Sequence, residues 1–135
     1  MTGEDLARTA DGMRSPLRMH RRRVAGGVVL AVTGEVDLAT VDDLLGGIRE
    51  TIELATDLGV AVLVDLRAVS FLGAAGLRVL VTAYEGCVTA GLALRVIADH
   101  SPVLRPLRLT GTDRLLTILS ALPVAMTSKD RDDTP

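Results

Sequence analysis

Val60–Leu80, with the sequence VAVLVDLRAVSFLGAAGLRVL, combines a strand, a turn and the start of a helix. Its continuous apolar run, Ala61–Val64, is typical of a strand that is covered on both faces, and Asp65 and Leu66 are expected to end that strand. After the glycine-bracketed turn Gly73–Gly76, apolar residues recur at helical spacing. In an open α/β sheet, function usually lies where strands end and helices begin. This turn has no acid, hydroxyl or thiol. It therefore lies where a functional site is expected but lacks reactive side chains.

The segments on either side of this stretch alternate between strands and helices. Strands are predicted over Leu17–Val24, Val28–Thr33, Leu92–Ala98 and Leu115–Leu119, and helices from Leu38 to about Asp57, from the turn to Ala90, and from Ser101 to Gly111. Gly26-Gly27 indicates a hairpin between the first two strands, and Gly34–Asp37 is expected to end the second. Ser101 is expected to cap the third helix and Pro106 to distort it. One domain, 17–122, is predicted between a flexible leader, 1–16, and a flexible tail, 123–135.

This order of elements predicts an α/β fold. The sheet should be mixed, with an N-terminal antiparallel hairpin followed by parallel strands that are joined by right-handed crossovers. The helices are expected mostly on one face of the sheet. The second helix should bury one set of residues, Leu77, Leu80, Val81, Tyr84 and Val88. Its outward side would then carry Arg78, Thr82 and Glu85 beside the small residues Val79, Ala83 and Gly86, which would permit close approach by a partner.

Length and composition exclude several classes of function. The 135 residues are 48% apolar but include only one Phe and one Tyr, which argues against a site that stacks bases on aromatic rings. A formal net charge of −2 gives no overall attraction to nucleic acid. No apolar run is long enough to cross a membrane, so no direct membrane insertion is expected. The single cysteine cannot form an internal disulfide, which favours the reducing cytoplasm.

Three groups of residues are candidates for a functional site. Successive residues of Arg21–Arg23 would point to opposite faces of a strand, so they predict a solvated edge and not an anion-binding cluster. His20 and His100 lack companion ligands, so no metal is expected. Cys87 is expected to be a buried small apolar residue, with pairing between chains as the alternative. Neither a catalytic triad order nor a phosphate-binding Gly-Lys-Thr motif is present, and we predict no enzyme activity and no cofactor.

Four motifs in order resemble those of the STAS domain, the fold of anti-sigma factor antagonists and of the cytoplasmic tails of sulfate transporters. The segments that carry this resemblance are Gly34-Glu35-Val36-Asp37, the Asp65-Leu66 to Ser70-Phe71-Leu72 stretch, Gly76-Leu77 with Leu80, and Leu109-Thr110-Gly111 to Leu115. The resemblance covers about Leu17 to Leu122. It implies a regulatory protein that binds another protein.

The turn departs from the pattern of the phosphorylated members of that family. Those members read Asp-Ser-(Ser/Thr)-Gly, and the hydroxyl before the last glycine accepts the phosphate. The corresponding residues here are Gly73, Ala74, Ala75 and Gly76, so the phosphoacceptor position is Ala75, which has no oxygen. Two interpretations are compatible: the turn has lost its phosphorylation switch, and its small residues serve tight backbone packing. Asp37 lies near this turn in the family and contributes to the partner-facing surface, although a cap or Asx turn is the favoured role for a short acid after a strand.

The resemblance implies an anti-sigma factor antagonist that binds an anti-sigma factor of the serine-kinase ATPase fold and releases a sigma factor. The expected partner surface is the turn with Asp37 and the exposed Arg78 and Thr82. One alternative is a STAS subunit of an ABC-type lipid transport system, which neighbouring permease and ATPase genes would indicate. Another is a small-molecule sensor, which a ligand would stabilise thermally. Self-association into a homodimer is left open.

Overall fold

A computed structural model describes residues 17–129 of the chain. The predicted leader, 1–16, and the last part of the predicted tail, 130–135, lie outside the described residues. The strands are β1 (Arg18–Val24), β2 (Gly27–Val36), β3 (Ala61–Leu72), β4 (Leu94–Ile97) and β5 (Thr117–Leu119). The helices are α1 (Val41–Leu58), α2 (Ala74–Ala90), α3 (Ser101–Leu109) and α4 (Val124–Lys129), and a 3-10 helix spans Thr112–Arg114.

The five strands form one sheet in the order of the sequence. β1 and β2 pair antiparallel as a hairpin, and β2 through β5 pair parallel, which confirms the predicted mixed sheet. Each parallel strand is added on the same side of the previous one. Because crossovers between parallel strands are right-handed, this order places successive connecting helices on the same face of the sheet. Buried residues of α1, α2 and α3 accordingly belong to a single core with the strands.

Alternation along the strands separates two apolar clusters. Val28, Leu30, Val62 and Val64 belong to the large core beneath α1, α2 and α3, and we call this side the helical face. The residues between them in the strands point the other way, to the opposite face. A small cluster of four buried side chains lies on that opposite face, with Leu122 and Met126 of the C-terminal segment packed against it: Val24, Val29, Leu63 and Ile97.

Both central strands continue past their predicted ends. β3 runs on to Leu72, and β2 runs through Gly34 to Val36, because the two strands keep pairing with each other beyond the end of β4. The register between them shifts twice, once on each side of Thr33–Gly34. Gly34 has a φ of 121°, which glycine adopts readily and which accommodates such a bulge. The prediction that Gly34 breaks the strand was therefore wrong.

Three helix boundaries also differ from the predictions. α1 begins at Val41 and not at Leu38, because a hydrogen-bonded turn precedes it. α3 is flanked by His100 in extended backbone, so Ser101 is its first helical residue and not its cap, and Pro106 is accommodated inside the helix. Within the predicted flexible tail, residues 124–129 form α4. Burial of Met126 against the sheet stabilises this segment, and local sequence gives little sign of that contact.

α2 buries a different side from the one expected. Leu77, Leu80 and Cys87 are buried as predicted, but Val88 is 59% exposed, while Val79 and Ala83 belong to the core. The reason is the neighbouring helix α1. A Cβ at Gly86 would lie 3.5 Å from Cδ1 of Ile52, so the small residues of α2 face α1 of the same chain. The predicted close approach of a helix occurs, but within the domain.

The arginine run of β1 divides between the two faces as predicted. On the helical face, Nε of Arg21 donates to Oγ1 of Thr51 at 3.0 Å, and its guanidinium pairs with Glu50 at 3.2 Å. Arg22, on the opposite face, lies close enough to Asp65 for its charge to act on that carboxylate. The three residues therefore form no common cluster.

Asp65 and Arg67 form an ion pair on the opposite face. The Arg67 guanidinium donates to both carboxylate oxygens of Asp65, at 2.9 and 2.8 Å. Burial alone would raise the pKa of Asp65, but these bonds, the Arg67 backbone N–H and the nearby charges outweigh it, and the pKa is lowered. The charged form of Asp65 is thus favoured by folding.

Asp65→Asn should lower the free energy of unfolding at neutral pH by less than about 1 kcal/mol, because the pair is partly exposed to solvent. Since the folded-state pKa lies below the unfolded value, this contribution is fully present above about pH 4 and is lost as the pH falls through the folded-state pKa. Urea denaturation of both proteins across the acidic range measures it. A difference between wild type and variant that grows towards low pH would contradict the assignment.

Candidate functional site

The carboxyl ends of β2 and β3 bring Asp37 and the glycine-bracketed turn to one edge of the sheet. The two strands stay paired to their last residues, Val36 opposite Leu72. The backbone N–H of Gly73 then donates to the carbonyl oxygen of Val36 at 2.9 Å. After β2 the chain enters the loop that leads to α1, and after β3 it enters α2. The predicted juxtaposition of Asp37 with Gly73–Gly76 is therefore present.

Asp37 organises the loop before α1. Its Oδ1 accepts hydrogen bonds from the backbone N–H groups of Ala39, at 2.9 Å, and Thr40, at 3.2 Å. Thr40, which is buried, in turn donates from Oγ1 to the carbonyl oxygen of Glu35 at 2.8 Å and accepts from the Asp37 N–H. This is an Asx-type turn, one of the two structural roles predicted for Asp37. The Asp37 carboxylate already has structural partners, and it remains partly accessible beside the turn.

Packing constrains the two glycines of the turn to different degrees. A Cβ at Gly76 would lie 2.6 Å from Cγ1 of Val36 and 2.7 Å from Cδ1 of Leu72, which is too close without rearrangement. A Cβ at Gly73 would lie 3.1 Å from Cε2 of Phe71 and 3.4 Å from the carbonyl oxygen of Val36. The packing interpretation therefore applies to Gly76, whereas at Gly73 a shift of a few tenths of an ångström by the half-exposed Phe71 ring would make room for a Cβ. Ala74 is exposed and Ala75 half-buried, so solvent reaches the middle of the turn.

One exposed row of side chains leads from the turn along α2. Ala74, Arg78 and Thr82 are four residues apart and all exposed, so they share one face of the helix. This row gives the predicted site residues a common surface at the start of α2. The residue at the N-cap of α2 is Gly73, which has no side chain with which to cap the helix.

Two exposed apolar side chains flank the turn and were not predicted as site residues. Leu38 is 82% exposed and Phe71 is 51% exposed. Leu38 follows Asp37 directly, and the Phe71 ring lies beside Gly73. The available signal was that the one phenylalanine of the chain lies two residues before the first glycine of the turn. Exposed large apolar side chains grouped at one edge mark a surface suited to binding another protein.

His100 contacts the part of β3 that leads to this edge. Its Nε2 lies 2.6 Å from the carbonyl oxygen of Val69, so the ring donates a hydrogen bond to the extension of β3. A carboxylate oxygen of Asp99 lies 3.4 Å from Nδ1. Among residues 17–129, no group of three His, Cys, Asp or Glu side chains is placed to hold a metal ion. His100, at the start of α3, thus links this helix to β3 through a hydrogen bond, which is a structural role.

Cys87 is buried within α2, as predicted. Burial raises the pKa of its thiol, so the unreactive protonated form is favoured. Pairing between two chains through this sulfur would require the helix to leave the core.

Comparisons with known proteins identify the family. A family model described as STAS domain matches residues 18–129. This chain belongs to the STAS domain family. The resemblance inferred from the four motifs is thereby confirmed, and so is the predicted α/β fold. None of the described helices is long and apolar enough to span a bilayer.

Relatives of this STAS domain include regulators of sigma factors. The anti-sigma-F factor antagonist RsfB of Mycobacterium tuberculosis is 35% identical over 102 residues, which cover 76% of this chain and 80% of RsfB. A crystal structure of an anti-sigma factor antagonist from Mycobacterium paratuberculosis superposes with a TM-score of 0.70 at 28% identity, covering 87% of this chain and 98% of that one. A putative antagonist from Thermotoga maritima has a TM-score of 0.70 at 18% identity, covering 82% and 93% of the two chains, and supports the fold alone.

Proposed function

We propose that this STAS domain is an anti-sigma factor antagonist, which occupies an anti-sigma factor and so releases a sigma factor. The observation that carries the proposal is the 35% identity with RsfB, an anti-sigma-F factor antagonist, over most of both chains. The family resemblance adds that the partner is an anti-sigma factor of the serine-kinase ATPase fold. The protein then acts by binding and not by catalysis.

The proposed contact surface is the edge of the sheet at the turn. It combines the exposed row Ala74, Arg78 and Thr82 with the accessible side of the Asp37 loop and the apolar side chains of Leu38 and Phe71. Small residues at the centre let a partner approach the backbone closely, and the flanking apolar groups supply area that water would leave on binding. Arg78 adds a charge at the rim.

The partner can be identified by capture from the native cell extract on the immobilised full chain. We expect recovery of an ATPase-fold anti-sigma factor and, in calorimetry with the purified pair, saturable binding. In a transcription reaction containing the anti-sigma factor and its sigma factor, the chain should restore initiation. Recovery of a transporter ATPase, with no effect on initiation, would instead support the STAS subunit of a transport system.

Ala75→Glu should weaken binding to that anti-sigma factor at least about tenfold, because an unpaired carboxylate would be desolvated in the contact. Ala75→Ser should have a much smaller effect, since a hydroxyl can find a backbone or water partner. Thermal melts should show that the fold survives, because an acid in the first turn complements the helix dipole.

Ala93→Glu provides the matched control for that measurement. Ala93 is exposed and precedes β4, at the opposite edge of the sheet from the turn. The same change of side chain there should leave affinity unchanged. Equal affinities for Ala75→Glu and wild type would place the interface elsewhere.

The protein should not gain phosphate at its turn when it is incubated with a partner kinase and ATP. Gly73–Gly76 contains no hydroxyl, so the usual acceptor is missing. Intact-mass measurement followed by peptide mapping is the test, with Ala75→Ser as the variant expected to gain one phosphate. The nearest upstream hydroxyl is that of Ser70, an exposed residue whose Oγ lies 3.4 Å from the carbonyl oxygen of Gly34. Phosphate mapped to Ser70 in the wild-type chain would show that the switch had moved.

A further inference from the structure

The extension of β3 beyond β4 carries the exposed ring of Phe71. β4 ends at Ile97, opposite Asp65, so within residues 17–129 the stretch 66–72 of β3 pairs with β2 alone. Strand pairing on one side leaves about half of the backbone polar groups of such a stretch without a ladder partner. The position of Phe71 therefore depends on what else holds this backbone.

A bulge weakens the remaining pairing just before Phe71. Val69 pairs with Gly34, and Phe71 pairs with Glu35. Ser70 is thus an extra residue of β3 with no register partner in β2, and its hydroxyl reaches the carbonyl oxygen of Gly34 only at 3.4 Å. A bulge of this kind disrupts the ladder locally. Both Ser70 and Phe71 are exposed, so burial does little to fix them.

His100 supplies a side-chain hydrogen bond to this stretch of β3. Its Nε2 lies 2.6 Å from the carbonyl oxygen of Val69. Because a carbonyl oxygen can only accept, Nε2 carries the hydrogen of this bond. His100 follows the last residue of β4 by three positions. Its ring therefore holds a part of β3 that β4 itself does not reach.

The backbone of His100 is fixed by α3. Its carbonyl oxygen accepts hydrogen bonds from the N–H groups of Val103, at 3.2 Å, and Leu104, at 3.0 Å, in the first turn of that helix. α3 is in turn fixed to the sheet through Val103 and Leu107, which are fully buried in the large core. The ring of His100 thus connects β3 to a helix that is packed against the core.

We propose that His100 is a positioning residue for the contact surface at the turn. It holds the chain at Val69, two residues before Phe71. Two residues after Phe71, the N–H of Gly73 donates to the carbonyl oxygen of Val36. The phenyl ring is thereby presented in one orientation, which lowers the ordering cost of binding. The inference rests on the proposed function for the identity of the partner, an anti-sigma factor that covers Phe71.

Two substitutions of His100 separate this hydrogen bond from the other roles of the residue. In His100→Gln the amide nitrogen is as many bonds from Cβ as Nε2 of histidine, so it can reach Val69. In His100→Asn it is one bond short. Asparagine is among the residues preferred at the N-cap, where His100 lies, so the start of α3 should stay intact. His20→Asn, at an exposed position of β1, is the matched control.

NMR relaxation of the full-length protein tests the positioning without any partner. Backbone order parameters of Ser70 and Phe71 should be near the rigid value of about 0.85 in wild type, His100→Gln and His20→Asn. In His100→Asn they should fall towards about 0.6, below which backbone is flexible, while amides of α1 keep their values. Equal order parameters at Ser70 and Phe71 in His100→Asn and wild type would overturn the proposal. An equal fall in His100→Gln would also overturn it, because the Nε2 donor would then not be the cause.

A double-mutant cycle tests whether His100 acts through Phe71. His100→Asn should weaken binding to the anti-sigma factor about three- to tenfold, the scale of one hydrogen bond, and His100→Gln should bind like wild type. In a Phe71→Ala background, His100→Asn should have no further effect, because both substitutions act on one contact. Unchanged affinity of His100→Asn, or an effect that persists in that background, would contradict the proposal. A wild-type chain that binds no anti-sigma factor would contradict the proposed function instead, and the order parameters then decide the role of His100.

Discussion

Leu63→Ala should lower the free energy of unfolding by about 2–5 kcal/mol, the range for truncation of a fully buried leucine. The side chain is 0% exposed and lies at the centre of the small cluster on the opposite face. Its Cδ1 would lie 2.6 Å from a Cβ placed on Gly27, which shows how closely the hairpin covers it. The C-terminal segment covers the cluster from outside through Leu122 and Met126. Removal of three methyl-sized carbons would leave a cavity that these surroundings can fill only in part.

Chemical denaturation of Leu63→Ala beside Leu109→Ala makes the comparison quantitative. Leu109 is 75% exposed, so the same truncation there should change stability by less than about 0.5 kcal/mol. Equal effects of the two substitutions would mean that Leu63 is not a core residue. An effect of Leu63→Ala that vanishes in a chain ending at Leu122 would assign the contribution to the contact with α4.

Gly76→Ala should lower the free energy of unfolding by about 1–3 kcal/mol, the usual cost of forcing an extra carbon into a packed core. The new Cβ would meet side-chain atoms of both Val36 and Leu72 at less than 3 Å. Val36 and Leu72 end the two paired strands, so relief of the clash must move the strand ends or the start of α2. The affinity for the anti-sigma factor should fall as well, because the turn is part of the proposed contact surface.

Gly46→Ala is the control, and it should raise the free energy of unfolding instead of lowering it. Gly46 is exposed within α1, and nothing lies within 4 Å of the position of its Cβ. Alanine should therefore stabilise the helix there by about 1 kcal/mol relative to glycine. Thermal melts and urea titrations should show that Gly76→Ala destabilises the protein and that Gly46→Ala stabilises it. A neutral Gly76→Ala would show that the turn can relax at little cost and would remove the packing explanation for this glycine.

The glycines and the alanines of the turn differ in how strongly packing limits the residue at each position. Gly73 and Gly76 are held by contacts with Val36, Leu72 and Phe71, and these contacts do not depend on any phosphate. Ala74 and Ala75 lie between them with solvent access, so a larger or polar side chain would be tolerated there. The absence of a hydroxyl at these two positions is thus not imposed by packing. The missing hydroxyl is therefore compatible with the proposal that this chain acts without phosphorylation at its turn.

Sequence patterns identified the five strands and three of the four α-helices within residues 17–129, but not all of their limits. The apolar run at Ala61–Val64 and the helical spacing after Gly76 were sufficient to predict β3 and α2. The extension of β3 to Leu72 depended on pairing with β2, which lies more than thirty residues away in the chain. Leu66, Val69 and Leu72 all reach the core although they are three residues apart, because the register shifts rotate the strand between them. Alternation alone could not show this.

Some features of the candidate site could likewise be predicted from the sequence, and others could not. That Asp37 lies near the turn was implied by the family resemblance, and the turn formed by Asp37 itself followed from its residue type. The exposure of Leu38 and Phe71 did not, because apolar residues beside a strand end are equally compatible with burial. Nor could sequence show which side of α2 is free: the packing of α1 against Ala83 and Gly86 determined that Val88 is exposed.

The sequence by itself determined the order of strands and helices, the mixed sheet and the missing hydroxyl in the turn, because these depend on local periodicity and on residue identity. Tertiary structure alone decided where β2 and β3 end, which side of α2 faces solvent, and that residues 124–129 form a helix against the sheet. Each of these outcomes depends on burial against a distant segment. The free energy of such contacts exceeds the local preferences from which a sequence is interpreted.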